Sequence, residues 1–346
     1  MIRSRVVRVV ALVLASSGML AACGGPDEGA DDRLRAAIRA TEREPREFVY
    51  EEKAGPRTYA VQGAIEDDFR YSAKLKLNDA ALFEEVVSDD TVADRFLDPE
   101  GAGFLALSPP TGPAAAALGA KQWIVDQAGA PILLTSANTE RRLGDDPVVD
   151  SLTVFRYIDQ VLRQQRVVEF DENSLEYRPQ EDPFPKPKEG SDVVRFDFFP
   201  PKLPKASDSA GAANQAVPGP QHFRKMVVYV EDGKIIRILE QFDVVGKLDE
   251  LRRNYDLELD AAVDPTRQAA VAIDAINVVR KGQGEQPIRA RDMSLSFTKV
   301  GEDVKVALPT SGTVAGDVSF LRNRGKGART PTSTTTVPAG GASSGG

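Results

Sequence analysis

Cys23 and His222 are each the only residue of their type in the 346-residue chain, which removes most thiol and imidazole chemistry at the outset. One Cys cannot close a disulfide or build a Cys-ligated zinc or iron site. His222, two positions after Pro220 in a long loop, reads as a solvated loop histidine rather than a general base or ligand. Ser296-Phe297-Thr298-Lys299 matches S-x-x-K, but that motif needs both groups on one helical face, and this segment reads as a strand with no K-T-G or S-D-N after it. Gly341-Ala342-Ser343-Ser344-Gly345 matches G-x-S-x-G without the strand-to-helix turn that strains such an elbow. Asp89, Asp90, Asp94 and Asp98 could be hard-cation ligands, but they lack the D-x-D-x-D-G spacing and its glycine turn, so they read as a solvated acidic face. No Walker or Rossmann glycine pattern occurs. The expectation is a protein without enzymatic activity, metal or cofactor.

What Cys23 does follows from what precedes it. Arg3, Arg5 and Arg8 form a basic start, and the run Val9–Ala22 carries no charge. As a helix those 14 residues span about 21 Å, too short for a hydrocarbon core of roughly 30 Å, so the segment reads as the apolar region of a signal peptide. It closes as Leu20-Ala21-Ala22-Cys23-Gly24-Gly25, which resembles the lipobox of bacterial lipoproteins. That resemblance implies removal of residues 1–22, a diacylglyceryl group on the Cys23 thiol, a palmitate-type acyl anchor and an extracytoplasmic place on the cell membrane. Two acyl chains hold a protein stably without help from a basic patch. Residues 23–31 then form the lipidated Cys and a Gly- and acid-rich tether.

The net charge of −8 becomes more negative once the three arginines are removed, and a generally acidic surface disfavours nucleic acid as a partner. With 41% apolar residues the chain can bury a substantial core. Residues 32–321 make the folded part, with a candidate subdomain break or flap in the small-residue loop at 200–220, preceded by the Pro-rich stretch Pro179–Pro187. Residues 322–346 have almost nothing to bury and read as a disordered tail.

Helices are expected at 31–43 (Leu34, Ala37, Ile38), at 79–88 after Asn78 (Leu82, Phe83, Val86 inward), from Asp146-Pro147 through Leu162, and from Asp264-Pro265 to Lys281-Gly282, the last two with an Asp cap and Pro in the first turn. Strands are expected around Phe48–Tyr50, Tyr59–Ile65, Phe69–Leu77, Trp123–Val125, Val193–Phe199, Met293–Val300, Val304–Leu308 and Val314–Phe320. Strands in runs give an α+β protein with one large antiparallel sheet.

The segment 223–245 is the most informative. Two β-rich runs flank Asp232-Gly233, the type I′ hairpin signal. A straight register from Glu231/Lys234 pairs Val228 with Arg237, Met226 with Leu239 and Lys225 with Glu240. One face then carries Met226, Val228, Val230, Ile235 and Leu239 with Arg237; the other carries Phe223, Val227, Tyr229, Ile236, Ile238 and Phe242. Both faces are apolar, so both need cover. The first is the candidate wall of a ligand cavity, its Met226 adaptable to variable ligand shapes.

The LAAC box, the Phe69–Leu77 strand, the Lys121-Gln122-Trp123-Ile124-Val125-Asp126 strand with Gly129-Ala130-Pro131 after it, and the Asp232-Gly233 hairpin together resemble the LolA-like lipid-carrier lipoproteins, in general plan the actinobacterial branch. The resemblance implies a strongly curved antiparallel sheet, a half-barrel, covered by helices that hold a lipid or other long apolar ligand in between. The alternative is a regulatory or assembly module with a solid core that binds a protein partner in the cell envelope.

Overall fold

The computed structural model describes residues 29–67, 70–98, 116–117, 119–127, 147–171, 182–199, 217–260, 262–285, 287–288 and 290–314. Cys23 with the signal segment, Gly129-Ala130-Pro131, 200–216 of the long loop, 315–320 of the last expected strand and the tail lie outside them.

The chain runs α1 (Ala30–Glu42), β1 (Arg46–Ala54), β2 (Arg57–Asp67), β3 (Arg70–Leu77), β4 (Ala80–Ser88), β5 (Thr91–Phe96), β6 (Ile124–Gln127), α2 (Pro147–Leu162), β7 (Arg166–Glu169), β8 (Val194–Phe199), β9 (Arg224–Glu231), β10 (Lys234–Phe242), α3 (Leu248–Tyr255), α4 (Pro265–Gly282), β11 (Asp292–Thr298) and β12 (Thr313–Val314). All strands form one sheet in the order β12-β6-β5-β4-β3-β2-β1-β11-β10-β9-β8-β7. Every neighbouring pair is antiparallel except the short β12, which lies parallel to β6. Two meanders, β1–β6 and β7–β10, therefore stand side by side, and β11 joins them by pairing with β1 on one edge and β10 on the other. The α+β class with a large antiparallel sheet is as expected.

Local chemistry sets the element ends. In α1, Leu34, Ala37, Ile38 and Thr41 form the buried stripe and Asp31 and Asp32 favour the positive N-terminal end. Arg46 closes the other end, its Nη1 donating to the carbonyls of Thr41 and Glu42 in the last turn and of Glu44 just beyond it. α4 begins as the sequence predicts: Asp264 accepts from the Thr266 and Arg267 amides, with Pro265 in the first turn. α3 was not anticipated; its eight residues bury only Leu248 and Leu251.

Residues 79–88, expected as a helix, form strand β4. Asn78 is not an N-cap; Asn78 and Asp79 both have positive φ (47° and 69°), making a hairpin turn of the type whose two central residues require it. The doublets Leu82-Phe83 and Val86-Val87 mimic helical spacing, yet Phe83, Glu85 and Val87 alternate on the core face, with Leu82 also buried beside the irregularity in the β3–β4 register and Val86 half-buried. Strands β5 and β7 were also missed. Val304–Leu308 is not a strand but part of a strap from β11 to β12. Its Gly301 amide donates to the Pro45 carbonyl at 2.8 Å and its Val306 amide to Glu66 Oε2 at 3.0 Å. Gly63 is a close-approach glycine: a Cβ there would lie 2.1 Å from the Ser72 carbonyl and 2.8 Å from the Phe48 ring, so the ring occupies its place.

Two separate cores result. The larger joins residues of α1 and α2 to strands from β1 through β11, and the smaller joins Phe223, Val244, Leu248, Leu251, Ala269, Ala272, Ile276 and Ile288 around α3 and α4.

Candidate functional site

The β9–β10 hairpin turns at Asp232-Gly233 with φ of 50° and 72° and starts in the expected register, Glu231 opposite Lys234 and Val230 opposite Ile235. A bulge then displaces every later pair by one: Arg237 meets Tyr229, Ile238 meets Val228, Leu239 meets Val227 and Glu240 meets Met226. The physical cause is Arg237. A straight strand would set its guanidinium on the core face between Ile235 and Leu239, and an unpaired buried charge costs several kcal/mol. The bulge leaves Arg237 exposed and buries Ile238 completely. At the same point α1 supplies a bond: the Ile235 amide donates to Thr41 Oγ1 at 2.7 Å.

The candidate face is therefore Met226, Val228, Val230 and Ile235 with Ile238, all in the larger core. Leu239, expected on this face, lies on the opposite one beside Val227. Neighbouring strands extend the face through Phe196 and Phe198 of β8, Leu295 and Phe297 of β11 and Phe48 and Tyr50 of β1. Leu34 and Ile38 of α1 and Phe155, Ile158 and Leu162 of α2 belong to the same buried cluster. Phe155 stacks on Phe297 with centroids 5.4 Å apart, and the Arg46 guanidinium sits 5.2 Å from the first ring and 5.8 Å from the second. One cation thus ties the end of α1 to α2 and β11.

Sequence reasoning missed the charged residues embedded in this core. On the row of β1, β11 and β10 that holds Glu52, Met293 and Glu240, Glu52 accepts from Tyr50 Oη at 2.8 Å and Arg291 Nη1 at 2.9 Å. Glu240 pairs with Arg224 Nη1 at 2.6 Å, and Arg224 Nη1 also donates to Tyr157 Oη of α2 at 2.8 Å. Burial, with the Glu240 charge nearby, pushes the Tyr157 phenol far above its ordinary range. At the other end of the face Glu85 of β4 lies opposite Asp94 of β5 and accepts from the Tyr71 hydroxyl. In the sequence Arg224 stands beside Lys225 and Glu240 beside Gln241, where polar residues read as the wet ends of a strand.

No protein-family model matches this sequence, and no curated protein matches it. The residues themselves carry the argument.

The hairpin's second face is covered by the described part of the Pro-rich stretch. Arg195 of β8, 2% exposed, takes both oxygens of Asp182 at 2.8 and 3.0 Å and Asp197 at 2.5 Å, with the Phe170 ring centroid 4.5 Å away. Tyr229 donates to the Pro185 carbonyl at 2.6 Å. Burial opposes the Arg195 charge, but the two aspartates outweigh it and raise its pKa.

The other flagged residues separate. His222 is half-buried rather than solvated, in a 3-10 turn Pro220–His222; burial, then the charges of Lys247 and Arg280, lowers its pKa. Asp94 is a buried core residue, not part of an acidic surface, whereas Asp89 sits exposed in the β4–β5 turn with φ 52°. Among the described residues no three His, Cys, Asp or Glu side chains converge to hold a metal ion. Ser296 lies in β11, and Lys299 beyond it pairs with Glu47 at 2.8 Å, so the S-x-x-K match places no nucleophile beside a base. No described helix is long and apolar enough to cross a membrane.

Proposed function

We propose that the chain is a lipoprotein held on the outer face of the cell membrane by acylated Cys23, and that it carries a lipid or other long apolar ligand on the core face between the sheet and helices α1 and α2. The observation that carries this reading is the reach of the larger core. Ile124 of β6 and Phe96 of β5 belong to the same buried cluster as Phe196 and Phe198 of β8, although eight inter-strand steps separate even β5 from β8 in the sheet. At about 4.8 Å per strand a flat sheet would spread these residues over nearly 40 Å, with α1 packed on β7 and β10 and α2 on β1 and β2, leaving the β5 end beyond both helices. A sheet curled around its helices, as in the LolA-like carriers, accounts for one shared core.

The ligand takes the place of helix side chains. Val228, Ile235 and Ile238 are fully buried and α1 packs on β10, so on this reading a covering helix moves off the face on loading and returns on release. Each CH₂ buried against this face contributes about 0.8 kcal/mol, which gives a long chain useful affinity after the losses of association.

Solvent extraction of the purified full chain followed by mass spectrometry is expected to release a non-covalent lipid, and the stripped protein is expected to take up long-chain lipid again. Val228→Trp, which fills the face, should abolish that uptake, and Leu239→Trp, on the opposite face, should not. A chain that yields no lipid and takes none up overturns the reading. That result is what the second reading, a solid-cored envelope assembly module, requires, and the complete burial of the same residues favours it.

A further inference from the structure

We infer that the turn Pro220–His222 is an acid-sensitive joint: protonation of His222 releases the end of the β9–β10 hairpin from the smaller core and leaves the larger core intact.

The turn is held from both sides. Arg280 of α4 donates to the Pro218 carbonyl at 3.1 Å, and Gln165, which follows α2, reaches the Gln221 carbonyl at 3.5 Å. Within the turn the His222 amide donates to the Gly219 carbonyl and the Phe223 amide to the Pro220 carbonyl, each at 3.1 Å, and the Asp243 amide closes the hairpin end on the Phe223 carbonyl at 2.6 Å. Phe223 itself is 1% exposed in the smaller core and packs on Phe242. A shift at His222 therefore moves the residue that anchors the hairpin there.

The imidazole suits one charge state. His222 is half-buried, and its Nδ1 is shielded from solvent with no hydrogen-bond partner among the described residues. A neutral ring tolerates this, because its proton can sit on Nε2 and leave Nδ1 a bare lone pair. Protonation puts an N–H on Nδ1 with nothing to receive it. The charges facing the ring add to the cost. Lys247 comes from the Val245–Lys247 turn, Glu250 from α3 and Arg280 from α4, two cations against one carboxylate among the described residues. That carboxylate pairs with Lys247 at 3.1 Å, and Arg280 pairs with Glu285 at 2.7 Å, so an imidazolium arrives where the anions are already engaged. Opening the turn hydrates it. His222 is the chain's single imidazole, the side chain whose ordinary charge change falls between pH 5 and 8, so one residue sets the response.

Burial, then the Lys247 and Arg280 charges, hold the folded His222 below its ordinary value of 6.5. The closed turn is therefore at full stability above that ordinary value and loses stability as pH falls through the folded one. The test on the full chain is an NMR titration of the imidazole, read beside backbone amide exchange corrected for its intrinsic pH dependence. The imidazole signal is expected to titrate with a midpoint below pH 6.5. The His222, Phe223 and Asp243 amides should lose protection from pH 6.5 down to that midpoint, while the Ile235 amide, bonded to Thr41 at the far end of the hairpin, keeps its own. His222→Gln or His222→Asn, neither of which takes the charge, should hold all three amides protected over the same range. A midpoint at or above 6.5, three amides that stay protected in the unaltered chain, or a loss that persists in both variants overturns the joint. Equal loss at Ile235 is global acid unfolding and overturns it as well.

Discussion

The two cores of this protein differ in how much charge they bury. The smaller is assembled from residues 223–288 and encloses one fully buried charge, Arg280 of α4, 1% exposed. Asn277 exchanges two hydrogen bonds with the backbone of Ile288, and Arg280 donates to the Pro218 carbonyl and pairs with Glu285. The larger core collects residues from the first helix to the last long strand and encloses Arg224, Glu240, Arg291 and Glu52. A core that only has to be stable does best without buried ions. The larger core holds more of them, and the smaller acts as a buttress against which the hairpin end is braced through Phe223 and Phe242.

The sharpest way to break this contrast is to remove one charge. Arg224→Met strands Glu240 in the larger core and is expected to cost about 3–5 kcal/mol in urea unfolding, while Arg224→Met/Glu240→Leu/Tyr157→Phe, which removes the whole bonded set, should return to within about 1 kcal/mol of the parent or exceed it. A single variant as stable as the parent would show that the pair is not held away from water. Leu251→Ala, at a fully buried position of the smaller core, should cost about 3 kcal/mol. Hydrogen exchange should rise in α3 and α4 while β1–β3 stay protected; uniform loss would merge the cores into one cooperative unit. Asp264→Ala removes the α4 cap for about 1 kcal/mol, read as fraying of that helix alone.

The smallest effect is acid sensitivity of the strap. The Val306 amide, and then the Lys305 and Arg70 charges, hold Glu66 below its ordinary value of 4.5. A lowered folded pKa means the contribution is whole above that ordinary value and disappears as pH falls through the folded one. Val306 amide exchange, corrected for its intrinsic pH dependence, should therefore lose protection only below pH 4.5. The α4 amides should show no matching change.

Much of the buttress was legible because its signals are local. Asp264-Pro265 and the basic turn before Gly282 mark α4 within the helix itself, and Asp232-Gly233 fixes its own turn. The β4 misreading shows the limit: Asn78 before paired apolar doublets fits a cap and helix as well as a turn and strand, and only β3 and β5 on either side decide. The bulge in β10 was unreadable because it settles a tertiary contest, Arg237 against Ile238 for one buried place. The Arg224–Glu240–Tyr157 site joins α2 to the two strands of the hairpin, and no spacing rule connects such partners.

The seam between the two halves of the sheet is the last long strand to be made. β1 pairs with β11 from Glu47–Thr298 to Lys53–Asp292, so the first strand out of the ribosome waits for almost the whole chain before its second neighbour exists. Until then β1 and β10 each offer a bare edge, the template on which stray chains stick. Closure over so long a loop is slow. The yield of a protein of this design is governed by how well those two edges are kept apart from other chains before β11 arrives.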